Sequence, residues 1–251
     1  MGLRFFTDTG LEVPAVTTEQ MIEVDRIAVA AMGPNLFQMM ENAGRNLALQ
    51  AIDCLGDHWQ QSHIVVLAGS GGNGGGGICA ARHLANRGAR VTLCVSAAEA
   101  RLTDVTRWQR HVVQGTATKE LDIADLLVAD VPVDLIIDAL IGYRLHAAPR
   151  GNAQQLIHWA NITDAPILSL DVPSGVNATT GKTPGEVIRA HWTMTLALPK
   201  TGLWPGETGE LWLADIGIPP EVYRQETLAL KYTPPFGKYY RIRIMARSSC
   251  C

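Results

Sequence analysis

Four short apolar segments constrain the fold of this chain more than any other feature. They are His63–Ala68 (HIVVLA), Arg90–Val95 (RVTLCV), Val133–Asp138 (VDLIID) and Pro166–Leu170 (PILSL). Each suits a buried strand, and stretches with helical periodicity separate them over about 76–88, 101–115, 122–129 and 153–161. Trp192–Leu198 and Glu210–Ala214 read as two more strands. Strands joined by helical crossovers make a parallel sheet covered on both faces. Two helices come first. Thr17 and Gln20 can form a capping box, and Met21, Val24, Ile27, Ala28 and Ala31 repeat at helical spacing over 17–32. Gly33-Pro34 breaks that helix, and 35–54 continues with Leu36, Met40, Ala43, Leu47 and Ala51 on one face. The expectation is one α/β domain over 1–231, a doubly wound, mostly parallel sheet with two N-terminal helices. Residues 232–251 lose the pattern and read as a packed arm or a tail.

Several function classes fall away on composition. Lys and Arg number 21 against 24 Asp and Glu, a net charge of −3, so no basic stripe for nucleic acid is evident. No apolar run reaches the roughly 18 residues of a membrane-spanning helix. The opening MGLRFFTDTGLEVPAV has no long apolar stretch of a secretory leader, and Phe6 stands where N-myristoylation needs Ser or Thr. The cysteines Cys54, Cys79, Cys94, Cys250 and Cys251 include no CxxC pair. They are expected as free thiols in a reducing compartment, and the protein as cytoplasmic. The sequons at Asn161 and Asn177 are expected to be unused, and no histidine sits at metal-ligand spacing.

The glycines are concentrated. Of the 24 in the chain, seven fall in the window Gly69–Gly77, GSGGNGGGG, between an apolar strand and a helix. Glycine at a helix start costs backbone entropy, so such a run calls for a reason. One is close approach of a phosphate to free N–H groups at a helix N-terminus. The other is packing in a tight strand–helix turn. The window also matches GxGxxG at Gly69, Gly71 and Gly74. A dinucleotide-binding dehydrogenase would want an acidic residue at the end of the second strand, where Val95-Ser96-Ala97 stands instead.

Two more loops leave strand ends with unusual chemistry. Asp138 ends one apolar run and leads into Ala-Leu-Ile-Gly142-Tyr143-Arg144, and Asp171 ends another and leads into Val-Pro-Ser174-Gly175-Val-Asn177. Ligands of open parallel sheets bind outside the carboxyl ends of the strands. Two strand-end carboxylates across a crevice from a phosphate-binding turn suit a nucleotide with a polar reacting centre.

These loops resemble the NAD(P)H-hydrate epimerase family, the YjeF N-terminal domain, over roughly 17–220. Gly69–Gly77 is similar to its GxGNNGGDG, and Asp138–Leu145 to its DALFGTGL. Asp171–Gly181 is similar to DIPSGLDADTG, Leu198–Leu203 to LPKPGL, and Asp215–Pro219 to DIGIP. Met21, Asp25 and Met40–Gly44 look like the family's opening helices. The resemblance implies a three-layer, Rossmann-like fold, usually dimeric, so a homodimer is expected. It implies interconversion of the R and S epimers of hydrated NADH and NADPH, with a potassium ion beside the substrate. By position, Asn73, Asp138 and Ser174 match the potassium ligands. Gly72, Asn73, Gly74, Gly75 and Gly76, with Gly142, Tyr143 and Arg144, match the substrate-binding loops. Asp171 matches a substrate-binding carboxylate and is the expected acid/base.

Four positions depart from the family pattern. Gly72 stands for the usual Asn, Gly76 for Asp, Tyr143-Arg144 for Thr-Gly, and Asn177 for Asp. Two carboxylates are thereby lost. The alternative reading is a family member with weakened or absent turnover, acting as a nucleotide-binding or protein-interaction scaffold.

Overall fold

The computed structural model describes residues 2–129 and 132–248. The chain opens with a hairpin, β1 (Leu3–Thr7) and β2 (Glu12–Val13), before helices α1 (Thr18–Ile27) and α2 (Leu36–Leu55). The alternating part follows: β3 (His63–Ala68), α3 (Gly72–Ala85), β4 (Arg90–Val95), α4 (Asp104–Val113), β5 (Lys119–Glu120), α5 (Ile123–Val128), β6 (Leu135–Ala139), α6 (Asn152–Ile162) and β7 (Ile167–Leu170). It closes with β8 (Trp192–Leu196), α7 (Pro205–Thr208), β9 (Glu210–Ala214), α8 (Pro220–Arg224) and β10 (Arg241–Ser248).

The strands form one sheet in the order β2-β1-β10-β9-β8-β7-β6-β3-β4-β5. Pairing is parallel from β5 through β9. It is antiparallel at β10, β1 and β2. The expected mostly parallel α/β sheet is therefore present, with helices on both faces. Strand β3 is buried along its whole length because alternate residues serve opposite layers. Ile64, Val66 and Ala68 pack with Leu47 of α2 and Ile78 of α3. Val65 and Leu67 pack with Leu156 and Ile157 of α6.

The helix starts follow local chemistry. Thr17 and Gln20 make the expected capping box, and Asn35 with Gln38 makes a second one at α2. After Ile27 the first helix widens into a π-helical turn, Ala28–Met32, before Gly33 ends it.

Three sequence expectations change. Helix α3 begins at Gly72 and not near 76, so most of the glycine window is helix. The hairpin β1–β2 precedes the two helices. In the segment from Tyr232, expected as an arm or a tail, Arg241–Ser248 is a strand between β9 and β1. Its alternation, RIRIMARS, is that of a half-exposed antiparallel strand, unlike the continuous apolar runs of the parallel ones. Cys79 and Cys94 are buried free thiols and Cys54 is half-buried, whereas Cys250 and Cys251 lie outside the described residues. No described helix is long and apolar enough to cross a membrane.

Candidate active site

Contacts between the turns after β3, β6 and β7 bring the three sequence loops together. A Cβ on Gly69 would overlap the Leu140 carbonyl, so β3 leaves the sheet against the turn after β6. The same turn touches Asn73: a Cβ on Gly142 would stand 3.2 Å from its Cγ and Oδ1. The Tyr143 N–H then donates to Asp171 Oδ2 at 3.2 Å.

Asp138 lies inside β6 rather than at its end, and it is fully buried. Strand register sets Ser169 of β7 beside it, and the Ser169 hydroxyl donates to Oδ2 at 2.8 Å. The Ser174 hydroxyl donates to Oδ1 at 2.6 Å and the Ser174 N–H to Oδ2 at 2.9 Å. The Leu140 N–H reaches Oδ1 at 3.2 Å. Four donors thus fill the carboxylate's acceptor sites. Burial pushes its pKa up, and the hydrogen bonds oppose that push. Ser174 Oγ in turn accepts from the Ile141 N–H at 2.8 Å. One carboxylate therefore ties β6, β7 and both following turns.

Asp171 follows β7 directly and is buried, with φ at +68°. The N–H of Val172 bonds the carbonyl of Leu170 at 2.9 Å, closing a three-residue γ-turn on Asp171. The neighbouring strand ends the same way. The N–H of Leu198 bonds the carbonyl of Leu196 at 2.7 Å about Ala197, whose φ is +62°. Non-glycine residues in the left-handed region cost roughly 1–3 kcal/mol and cluster at functional sites. Lys200, fully buried, donates to Asp171 Oδ1. Sequence reasoning quoted Lys200 within a motif and gave it no role. Nothing local marks it, because the partner is 29 residues away.

Tyr143 and Arg144, the departures in the second loop, bind each other and α1. The Tyr143 hydroxyl donates to Asp25 Oδ2 at 2.6 Å, and Arg144 Nε donates to the Tyr143 hydroxyl at 3.0 Å. Burial pushes the Asp25 pKa up and keeps the Tyr143 phenol protonated well above its usual range. Arg144 itself is exposed. Thr18 Oγ1 donates to the Tyr143 carbonyl at 3.1 Å, so α1 holds this loop at two points.

The glycine window divides in two. Gly71 and Gly72 have open space where a Cβ would stand. Gly71 caps α3 and Gly72 opens it, and the first amides of a helix have no helical partner and can meet an anion. Gly74–Gly77 are buried and serve packing: a Cβ on Gly74 would overlap the Gly69 backbone, and one on Gly77 the side chain of Ala139. At Gly76, where the family pattern has Asp, a Cβ would stand 2.8 Å from Leu170 Cδ2, so Leu170 occupies that room. Gly72→Ala is therefore expected to hold or raise stability by up to about 1 kcal/mol. Gly77→Val is expected to cost about 1–3 kcal/mol through overpacking. Thermal unfolding of both variants checks the contrast, and equal melting temperatures would contradict it.

A clip holds α3 to α2. Glu41 accepts from His83 Nε2 at 2.8 Å and from Arg82 Nη2. Burial alone would raise the Glu41 pKa, yet these partners bring it below the usual carboxylate range. The ligand atoms of Glu41, Cys79 and His83 lie within 4.8 Å of one another. Arg82 also donates to Cys79 Sγ at 3.3 Å, so a cation already sits there. Burial pushes the Cys79 thiol up to about 12. The cluster is structural.

For the potassium ion implied by resemblance, the donors are of the right kind: an amide, a carboxylate and a hydroxyl, all offering oxygen. Asn73 Nδ2 is buried and has no hydrogen-bond partner among the described residues, an orphaned polar atom beside this segment. Asn73 and Ser174 both touch the 138–142 segment that also carries Asp138. The donor types fit such an ion, but Asp138 would have to exchange one of its four hydrogen bonds for it.

Comparison with known proteins bears on the family and the fold. A family model described as YjeF-related protein N-terminus matches residues 36–202. A protein of Dehalogenimonas lykanthroporepellens named NAD(P)H-hydrate epimerase is 47% identical over 98% of this chain and 99% of its own. One of the same name from Rhodopirellula baltica is 30% identical over 86% of this chain and 89% of its own. The Escherichia coli bifunctional NAD(P)H-hydrate repair enzyme Nnr is 35% identical over 83% of this chain, which spans only 40% of that longer protein. The crystal structure of yeast YNL200c shares the fold, with a TM-score of 0.77 at 22% identity over 92% of this chain and 100% of its own. With a family match across 36–202 and a relative that aligns from end to end, the chain belongs to the YjeF-related N-terminal family, that of the NAD(P)H-hydrate epimerases.

Proposed function

We propose that this protein interconverts the R and S epimers of hydrated NADH and NADPH, as a cytoplasmic homodimer that uses potassium. The observation that carries the reading is the Asp171 carboxylate, buried at the carboxyl end of β7 and bonded to the turn that also meets Asn73. The nucleotide would lie across the carboxyl ends of β3, β6 and β7, with phosphate oxygens toward the open amides at Gly71–Asn73 and the hydrated ring toward Asp171. Exposed apolar side chains around the α1–α2 junction, among them Val29, Met32, Leu36 and Phe37, are in keeping with a second copy packing there.

The hydrated ring carries a hydroxyl on the carbon beside the ring nitrogen. The nitrogen lone pair expels it as water when a proton is supplied, leaving a cationic ring. Water adds from the opposite face and gives the proton back. One C–O bond breaks and one forms, with no change of oxidation state. Asp171 lends and recovers that proton, and its negative form stabilises the cationic ring. Asn73, Asp138 and Ser174 would hold the potassium ion, which supplies fixed positive charge beside the substrate. The chain's own part there is Asp138 and its four donors, which keep the second and third loops in register.

The test starts from one purified epimer of hydrated NADH and follows its conversion to the other by chromatography, in potassium and in sodium buffers. Conversion well above the spontaneous rate, faster in potassium, is expected. A folded protein that adds nothing to the spontaneous rate overturns the reading.

A further inference from the structure

Lys200 is the most constrained cation among the described residues. It is fully buried, and lysine is rarely so unless paired. Its ammonium has three hydrogens and three acceptors: Asp171 Oδ1, the Leu196 carbonyl at 2.9 Å and Thr195 Oγ1 at 3.3 Å. None is left to reach a substrate.

The consequence lies on Asp171. Oδ1 accepts from Lys200 and from the Leu196 N–H at 3.3 Å, so both its lone-pair directions are taken. Among the described residues Oδ2 accepts only from the Tyr143 N–H, which leaves one direction open. The two oxygens of one carboxylate are thus made unequal. The γ-turns at Asp171 and Ala197 bring the carboxylate and the lysine-bearing segment together, so local strain is spent on forming this pair.

Resting on the epimerase reading, we propose that Lys200 is a positioning residue of the reaction: it anchors Oδ1 and so turns Oδ2 outward as the oxygen that gives a proton to the substrate hydroxyl and takes it back. The other charged and titratable groups around the pair are the Tyr143 phenol, Asp25 and Arg144. The Tyr143 ring centroid lies 5.9 Å from Lys200 Nζ. Asp25 feels both Lys200 and Asp171, and Arg144 stands 3.9 Å from Asp25. Among the described residues, Lys200 is the cation bonded to Asp171, so changing it removes that contact.

The experiment compares Lys200→Met, Lys200→Arg and the wild type in two ways. The first is the crystal structure of each, which shows whether Asp171 keeps Oδ1 turned inward and Oδ2 open. In Lys200→Met the carboxylate is expected to turn or to split over two orientations, and in Lys200→Arg to keep the wild-type one, since the cation returns. The second is kcat and KM for epimerisation. In Lys200→Met kcat is expected to fall about 100-fold or more with KM changed by less than about threefold, and Lys200→Arg to recover at least about tenfold of that loss. The double variant Lys200→Met/Asp171→Asn removes both charges; it is expected to melt above Lys200→Met alone, showing that the unpaired carboxylate is what weakens that variant. A Lys200→Met carboxylate in the wild-type orientation, or a folded Lys200→Met with wild-type kcat, overturns the proposal. A wild type without turnover overturns the epimerase reading and leaves the crystal structures to decide whether Lys200 orients Asp171.

Discussion

Asp171→Asn is expected to lower kcat for epimerisation by about 10²–10⁴-fold, the usual share of a general acid–base group. The substitution is close in shape, and Asn tolerates the left-handed backbone that Asp171 adopts at φ +68°. What it removes is the exchangeable proton and the negative charge. It also leaves Lys200 buried without an anion, which is expected to cost about 3–5 kcal/mol. Activity therefore has to be read at a temperature where the variant is folded, with the melting temperature measured beside it. If the folded variant keeps more than about a tenth of wild-type kcat, Asp171 is not the acid/base.

Asp138→Asn is expected to act mainly on stability, lowering it by about 1–3 kcal/mol, or a melting temperature lower by about 2–12 °C. An amide nitrogen cannot accept a hydrogen bond. Placed at either carboxylate oxygen it would face a backbone N–H, from Leu140 on one side or from Ser174 on the other. A pH dependence goes with this. Burial raises the folded-state pKa of Asp138 above its value in the unfolded chain. Between those two values the folded state holds more protons than the unfolded one, so stability falls as pH rises through that window. The slope should be absent in Asp138→Asn. Melting curves of both proteins from acid to neutral pH check it, and parallel curves would remove Asp138 as its source.

Apart from the two-residue β5, the parallel part of the sheet was readable because its strands are short, largely apolar runs. β9 was read as Glu210–Ala214 and β3 as His63–Ala68, which are their observed bounds. β1 and β10 were not readable by the same rule, since each has a wet face and a mixed pattern. The start of α3 was misplaced because glycine propensity argues against helix. The helix forms there all the same, because only residues without side chains let it lie against Gly69 and Ala139.

By itself, the sequence determined that strands and helices alternate, that glycine gathers at one strand–helix turn, and that two carboxylates stand where apolar runs end. Those follow from local pattern and spacing. It also carried the motifs that place the chain in its family. Only the tertiary structure decided what each group does. Asp138 and Asp171 look alike in sequence, each an acid after an apolar run. The register of β6 with β7 surrounds Asp138 with hydroxyls and amides, whereas the γ-turns after β7 and β8 set Asp171 against Lys200. Gly72 and Gly77 are likewise the same residue, one open and one packed. Burial, charge pairing and the space around a side chain arise from residues distant in the chain, so they exist only once the sheet has brought those residues together.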